Sequence, residues 1–281
     1  MRLTGKAIIA GVMGWPVAHS RSPMLHGFWL ESYKIDGAYL PFPVHPENIE
    51  TALRALPALG IAGVNVTAPH KEAALRICDT VDSTARKIGA VNTIIVEKNG
   101  SLSGSNTDAF GFMENLKSES DWRADSRPVL VVGAGGAARA VVSALAEEGV
   151  SNIRILNRTK ARAEALASDF ADRANACDWA TLDSSLEDIS LLVNTTTLGM
   201  SGQPELEIDL TALPRDAIVN DIVYVPLQTK LLQAARGRGN ATVDGLGMLL
   251  HQARPGFAAW FGHEPDVTPA LRNVILADLG A

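Results

Sequence analysis

The chain predicts an α/β protein of two domains, each built on strands that alternate with helices. Three observations carry that expectation. The 281 residues exceed one ordinary core and suit two domains. The first third alternates apolar strand-like runs with helix-like segments. After a polar stretch the alternation starts again at VLVVGAGG, where an apolar strand runs into a glycine turn and a helix.

In chain order, KAIIAGVMG reads as a buried strand, Pro23 to Tyr33 as a helix and AYLPFPV as a second strand. A helix over residues 46–56 precedes the strand IAGVNVT, which completes a β-α-β-α-β order and implies a mostly parallel sheet. VNTIIVEKNGSLSGSN reads as a hairpin turned by Asn99-Gly100. Asn106 or Thr107 then caps a helix running to Lys117. The polar segment SESDWRADSRP has the composition of a linker. Beyond VLVVGAGG, the expected strands are IRILN, LLVNT, AIVNDIV and ATVDG, and two helices (residues 246–261 and 269–279) end the chain.

Composition narrows the function classes. Hydrophobic residues make up 47% and charged residues 20%, as in a folded chain rather than a disordered one. The net charge of -6, with no basic run, argues against nucleic acid as the main partner. Cys78 and Cys177 form no CxxC pair, which favours a reduced, cytoplasmic protein. No histidine spacing suggests a metal site. Arg2 and Lys6 ahead of the apolar stretch Ala7 to Ala18 imitate a short signal peptide. Gly11, Gly14 and Pro16 break that stretch, so a strand and turn describe it better. No apolar run is long enough to span a membrane.

The segment VLVVGAGGAARAVVSAL fits the G-x-G-x-x-G/A pattern of a dinucleotide loop, with Ala138 in the third position. Gly133 permits the turn, Gly135 lets the backbone approach a pyrophosphate, and the helix start offers it N–H groups and partial positive charge. The next strand decides between cofactors. An enzyme selecting NAD usually ends that strand in a carboxylate for the ribose hydroxyls. Here ILNRTKAR carries Arg158, Lys160 and Arg162 instead. Cations disfavour a helix start, so a phosphate partner explains them better than chance, and NADP is the expected cofactor.

Two further strings carry chemistry. GVNVTAPHK ends in Lys71, and SGSNTDAFGF contains Asp108. An ammonium and a carboxylate set among Ser, Thr and Asn suit proton transfer to a polyhydroxylated small molecule. Taken singly, Lys71 reads as a solvated lysine and Asp108 as a helix cap. In GWPVAHSRSPMLH, Ser20 and Ser22 stand just before Pro23. They serve either as plain helix capping or to hold a substrate carboxylate at that helix start.

Together these strings resemble the shikimate dehydrogenase family. GWPVAHSRSP, GVNVTAPHK, GAVNT, GSNTDAFGF, GAGGAARA, NRT, NTTTLGM, DIVYVPLQT and DGLGMLLHQA occur in the family's order, from the first strand to the penultimate helix. The resemblance implies NADPH-dependent reduction of 3-dehydroshikimate to shikimate, on the way to chorismate and the aromatic amino acids. It implies a substrate domain over residues 1–107, a Rossmann-type NADP-binding domain over 108–244, and C-terminal helices over 245–281 returning to the first domain, with the active cleft between the domains. By motif position, Ser20 and Ser22 bind the carboxylate. Asn65, Thr67, Asn92 and Gln252 bind ring hydroxyls alongside Lys71 and Asp108. Gly133, Ala134, Gly135, Gly136 and Ala137, with Asn157, Arg158, Thr159 and Arg162, hold the cofactor, and Ile222, Tyr224 and Gly245 lie near its nicotinamide. Thr195, Thr196 and Thr197 shape the ribose side of that pocket. Two positions depart from the pattern. Gly27 stands where the family often has Asn, and Trp15 where smaller residues are common.

On this reading Lys71 gives a proton to the alkoxide formed by hydride transfer, and Asp108 orients Lys71 and the reacting oxygen. The alternatives are a quinate or broad-specificity dehydrogenase and a non-catalytic ligand sensor on the same fold. The partner expected is a small molecule, not nucleic acid or membrane. A homodimer is admitted by the sequence but not specified by it.

Overall fold

The computed structural model describes residues 3–280, so Arg2 lies outside the described residues. The chain divides into two compact units. One holds the residues up to Thr107 together with Gln252–Gly280, and the other spans Asp108–His251.

In the first unit, β1 (Ile8–Gly14), α1 (Ser22–Ser32), β2 (Gly37–Pro43), α2 (Ile49–Ala55) and β3 (Ile61–Val66) follow the predicted alternation. A single 3-10 turn, Pro46–Asn48, leads into α2. Three elements lack a counterpart among the expectations: α3 (Lys71–Ile77), β4 (Thr80–Val81) and α4 (Ser83–Ile88). They are short, and α3 offers too few turns for a helical apolar period to stand out. β5 (Thr93–Val96) and β6 (Leu102–Ser105) form the predicted antiparallel hairpin.

Its turn differs from the expected two-residue form. Gly100 donates to the Glu97 carbonyl and Glu97 to that of Ser101. Only Gly100 takes the left-handed conformation, at φ 82°. This is a three-residue loop closed by glycine. The six strands run in the order β2-β1-β3-β5-β6-β4. The β1–β2, β1–β3 and β4–β6 pairs are parallel. Leu53, Leu56, Val64, Val66 and Ile94 form its buried core.

The second unit opens with α5 (Asp108–Glu119). The segment read as a linker belongs to this unit: α5 extends to Glu119, and Trp122 is buried beyond it. Its polar composition concealed the one large side chain that anchors it. Next come β7 (Val129–Val132), α6 (Gly136–Glu147), β8 (Ile153–Leu156), α7 (Lys160–Ser168), β9 (Ala174–Cys177), β10 (Leu191–Asn194), β11 (Ile218–Asp221), α8 (Lys230–Gly237) and β12 (Thr242–Val243). The order is β12-β11-β10-β7-β8-β9, parallel throughout. That is the strand order of a doubly wound dinucleotide-binding sheet. β9 escaped sequence reading because ANAC is neither apolar nor alternating. Its strand-facing core includes Leu130, Val132, Leu192 and Val219.

The expected helix over 246–261 is two helices, α9 (Leu246–Gln252) and α10 (Arg254–Phe261), broken at Ala253. Pro255 has no N–H to donate to the preceding turn, which explains the break. α11 (Pro269–Leu279) is capped by Thr268, whose side chain accepts from the Leu271 N–H. Among the described residues, no helix is long and apolar enough to cross a membrane. No group of three or more His, Cys, Asp or Glu there could hold a metal ion.

Candidate active site

In the first unit, Lys71 is the first residue of α3, one short loop after β3 rather than at the strand end itself. The loop is fastened at each step. Thr67 N–H donates to the Met13 carbonyl at 2.9 Å, Trp15 N–H to that of Ala68 at 3.1 Å and His70 N–H to that of Thr67 at 2.9 Å. Val91 N–H donates to the Lys71 carbonyl at 3.0 Å. The buried ring of His70 adds a hydrogen bond with the Val44 carbonyl at 2.8 Å. A lysine at a helix start is electrostatically unfavourable. So rigid a backbone there suits a group held for chemistry.

Ser20 and Ser22 bracket the start of α1. No side chain caps this helix, and the Ser20 Oγ accepts from the Ser22 N–H at 3.3 Å. Arg21 between them bonds the His19 carbonyl and forms an ion pair with Asp278 of α11. Ser20 thus satisfies one N–H at the helix start, without the usual side-chain N-cap.

Behind these groups lies a buried polar network. Asn65 Nδ2 donates to the Asn92 carbonyl at 3.2 Å and to Thr93 Oγ1 at 3.0 Å, while its Oδ1 accepts from the Tyr39 hydroxyl at 2.6 Å. Asn92 Oδ1 accepts from Thr93 Oγ1 at 2.9 Å and from the Thr107 N–H at 2.9 Å. The Tyr39 ring stacks on His26, with centroids 3.8 Å apart and planes 2° from parallel. Burial pushes the His26 imidazole down to about 3, so it stays neutral.

In the second unit, Asp108 is the first residue of α5 and half-buried. Gly133 follows β7 at φ 119°, and a Cβ there would meet Thr195 Oγ1 at 2.4 Å. Thr195 Oγ1 already donates to the Val132 carbonyl at 2.7 Å, so only glycine fits the turn. At Gly135 and Gly136 a Cβ would meet no atom within 4 Å. The first N–H groups of α6 have no intrahelical partners. This cradle fits a pyrophosphate.

After β8, Asn157 Nδ2 donates to the Thr159 carbonyl at 2.8 Å, which fixes the turn into α7. Arg158 and Arg162 are exposed beside it. Lys160 instead approaches Glu164 and Asp178. Two guanidinium groups and no carboxylate at this strand end fit a phosphate on the ribose.

Beyond β11, Tyr224 lies in a loop held by Asp221. The Asp221 carboxylate accepts from Asn194 Nδ2 at 2.9 Å, from the Val223 N–H at 3.0 Å and from Thr229 Oγ1 at 2.7 Å. Burial nevertheless raises it to about 6. The Thr196 N–H and Oγ1 both bond Asn194 Oδ1. Ile222 and Tyr224 are half-buried, and Gly245 is buried.

Of the residues predicted for the substrate, Asn65 and Asn92 come together in one network, and Ser20 adjoins Ser22. Lys71 belongs to the first unit and Asp108 to the second, while Gln252 ends α9 at the start of the segment returning to the first unit. Sequence reading missed Tyr39, Thr93 and Asp221. A tyrosine on the inward register of a strand needs a partner for its hydroxyl, and Tyr39 in AYLPFPV carried that signal. Asp221 in an apolar strand called for similar notice.

Three family profiles match the chain. That of the "Shikimate dehydrogenase substrate binding domain" covers residues 12–94, "Shikimate / quinate 5-dehydrogenase" covers 115–216, and "Shikimate 5'-dehydrogenase C-terminal domain" covers 245–275. The chain is 59% identical to the shikimate dehydrogenase (NADP(+)) of Paramagnetospirillum magneticum, over 98% of this chain and 100% of that one. Among solved structures, it is similar to the shikimate 5-dehydrogenase of Thermus thermophilus in complex with NADP(H) and shikimate. The TM-score is 0.83 at 39% identity, covering 95% of this chain and 99% of that one. A quinate dehydrogenase from Corynebacterium glutamicum in complex with NAD gives a TM-score of 0.89 at 32% identity, covering 96% and 99%.

Proposed function

This chain belongs to the shikimate dehydrogenase family, and on that premise we propose that it catalyses the NADP-dependent, reversible reduction of 3-dehydroshikimate to shikimate. It is an oxidoreductase serving the synthesis of chorismate and the aromatic amino acids, and acts in the cytoplasm. The single observation that carries the reading is the near full-length identity to a relative named for this activity.

The reduced nicotinamide supplies the hydride. This chain's own residues hold the substrate and move the proton. Ser20 and Ser22 hold the carboxylate, and Thr67, Asn92 and Gln252 meet the ring hydroxyls. Asn65 acts beside them, and the support for a shared role is its hydrogen bonds to the Asn92 carbonyl and Thr93. Lys71 gives its proton to the oxygen as the ketone becomes an alcohol, and Asp108 orients that oxygen. Ile222, Tyr224 and Gly245 border the nicotinamide. Gly133 to Ala137 take the pyrophosphate, while Asn157, Arg158, Thr159 and Arg162 take the adenosine end and its phosphate.

Initial rates with NADPH and NADH, each against 3-dehydroshikimate and 3-dehydroquinate, test the proposal. The expected result is turnover of 3-dehydroshikimate, faster with NADPH. Preference for dehydroquinate would make the chain a quinate dehydrogenase. Equal rates with NADH would overturn the role of Arg158, and turnover of neither substrate would make it a sensor.

A further inference from the structure

We propose that Tyr39 is a positioning residue for substrate recognition: its hydroxyl locks the Asn65 amide, and through Asn65 and Thr93 it steadies the Asn92 amide, whose oxygen the Thr107 N–H and hydroxyl also hold. The inference rests on the reading above and adds to it a residue that touches neither substrate nor cofactor.

The directions of the hydrogen bonds carry the argument. An asparagine side chain fits its site in two orientations, and only its partners decide between them. A backbone carbonyl can only accept, so the Asn92 carbonyl turns Nδ2 of Asn65 toward itself. The opposite corner of Asn65 is then an oxygen, buried and in need of a donor. The Tyr39 hydroxyl, at 2.6 Å, is that donor. A backbone N–H can only donate, so Thr107 N–H turns Oδ1 of Asn92 toward itself. The Thr93 hydroxyl stands between the two amides. It accepts from Asn65 and therefore spends its own proton on Asn92 Oδ1. The chain thus runs one way, from Tyr39 to Asn92, and leaves the Asn92 N–H₂ on the side away from Thr107.

Packing removes the alternatives. Tyr39 is 6% exposed, with one ring face stacked on His26 and Trp260 tilted 6.0 Å away, so water does not substitute for it.

Tyr39→Phe keeps the ring and removes the hydroxyl, and Thr93→Val cuts the same chain at its middle. In the full-length enzyme, each should raise KM for shikimate about tenfold, the usual effect of orphaning one buried hydrogen-bonding group. KM for NADP should stay unchanged and kcat within about threefold. Added to Asn92→Ala, Tyr39→Phe should cost less than about twofold further, because both changes act on one chain. A shikimate KM that does not move in a folded Tyr39→Phe protein, or a full multiplicative effect on top of Asn92→Ala, would overturn the proposal. Should Tyr39→Phe fail to fold, an unmoved KM in Thr93→Val overturns it equally. An unmodified chain without shikimate turnover would instead sink the functional reading, so the two failures are distinguishable.

Discussion

The two units present the residues proposed to bind ligand in opposite ways. In the first, a network of polar side chains is buried and spoken for: Tyr39, Asn65, Asn92, Thr93 and Thr107 are all below 9% exposure and bonded to one another. In the second, Gly135, Gly136, Arg158, Thr159 and Arg162 are exposed, and the proposed binding elements are a backbone cradle and two guanidinium groups. A small ring bearing several hydroxyls is recognised by the direction of each donor, which demands side chains that cannot turn. A phosphate accepts hydrogen bonds from many directions, so backbone N–H groups and flexible cations suffice. Damage to the first unit should therefore be abrupt, and damage to the second graded.

The largest effect should come from Lys71, held by its main chain at the start of α3. Lys71→Ala should lower kcat by roughly 10²–10⁴-fold if it is the acid–base group. A large rise in KM with unchanged kcat would show that it only binds, and the contrast between the units would lose its chemical half.

Asp221 is the second unit's exception, a buried carboxylate raised to about 6 by desolvation against the pull of three hydrogen bonds. Because its folded-state value lies above the ordinary 3.8, the native state holds that proton more tightly than the unfolded chain. Stability from this group is thus present below about pH 4 and lost as pH rises through about 6. Urea unfolding at stepped pH should show the unmodified protein losing up to about 3 kcal/mol relative to Asp221→Asn between pH 4 and 7. Parallel profiles for the two proteins would mean that the loop carrying Tyr224 bears no such cost.

Arg158→Ala should act more mildly than Lys71→Ala, because Arg162 stands four residues on and carries a second guanidinium. KM for NADPH should rise about 10- to 100-fold, with kcat and the KM for substrate unchanged. Loss of kcat instead would mean that the exposed cations do more than bind.

The alternation of strands and helices was legible because buried parallel strands read as continuous apolar runs. KAIIAGVMG, VLVV and LLVN could hardly be anything else. The family's strings were legible because Lys71, Asp108 and the glycines of GAGGAA stand in recognisable company. The short elements between Lys71 and Ile88 were not, since neither α3 nor α4 completes enough turns for a pattern to emerge. The support behind the site was hidden for another reason. Tyr39, Thr93 and Asp221 matter through partners 26, 28 or 27 positions away, or nearer by chance of the fold. Side-chain networks across strands leave no local signature. The supposed linker misled because composition averages over one buried tryptophan.

The most direct test of the account follows the hydrogen itself. NADPH carrying deuterium at both hydrogens of its nicotinamide C4 is incubated with 3-dehydroshikimate and the unmodified protein, and the product is analysed by mass and by NMR. The account predicts shikimate with one deuterium on the carbon that was the ketone. Shikimate without the label, or no shikimate at all, would contradict it.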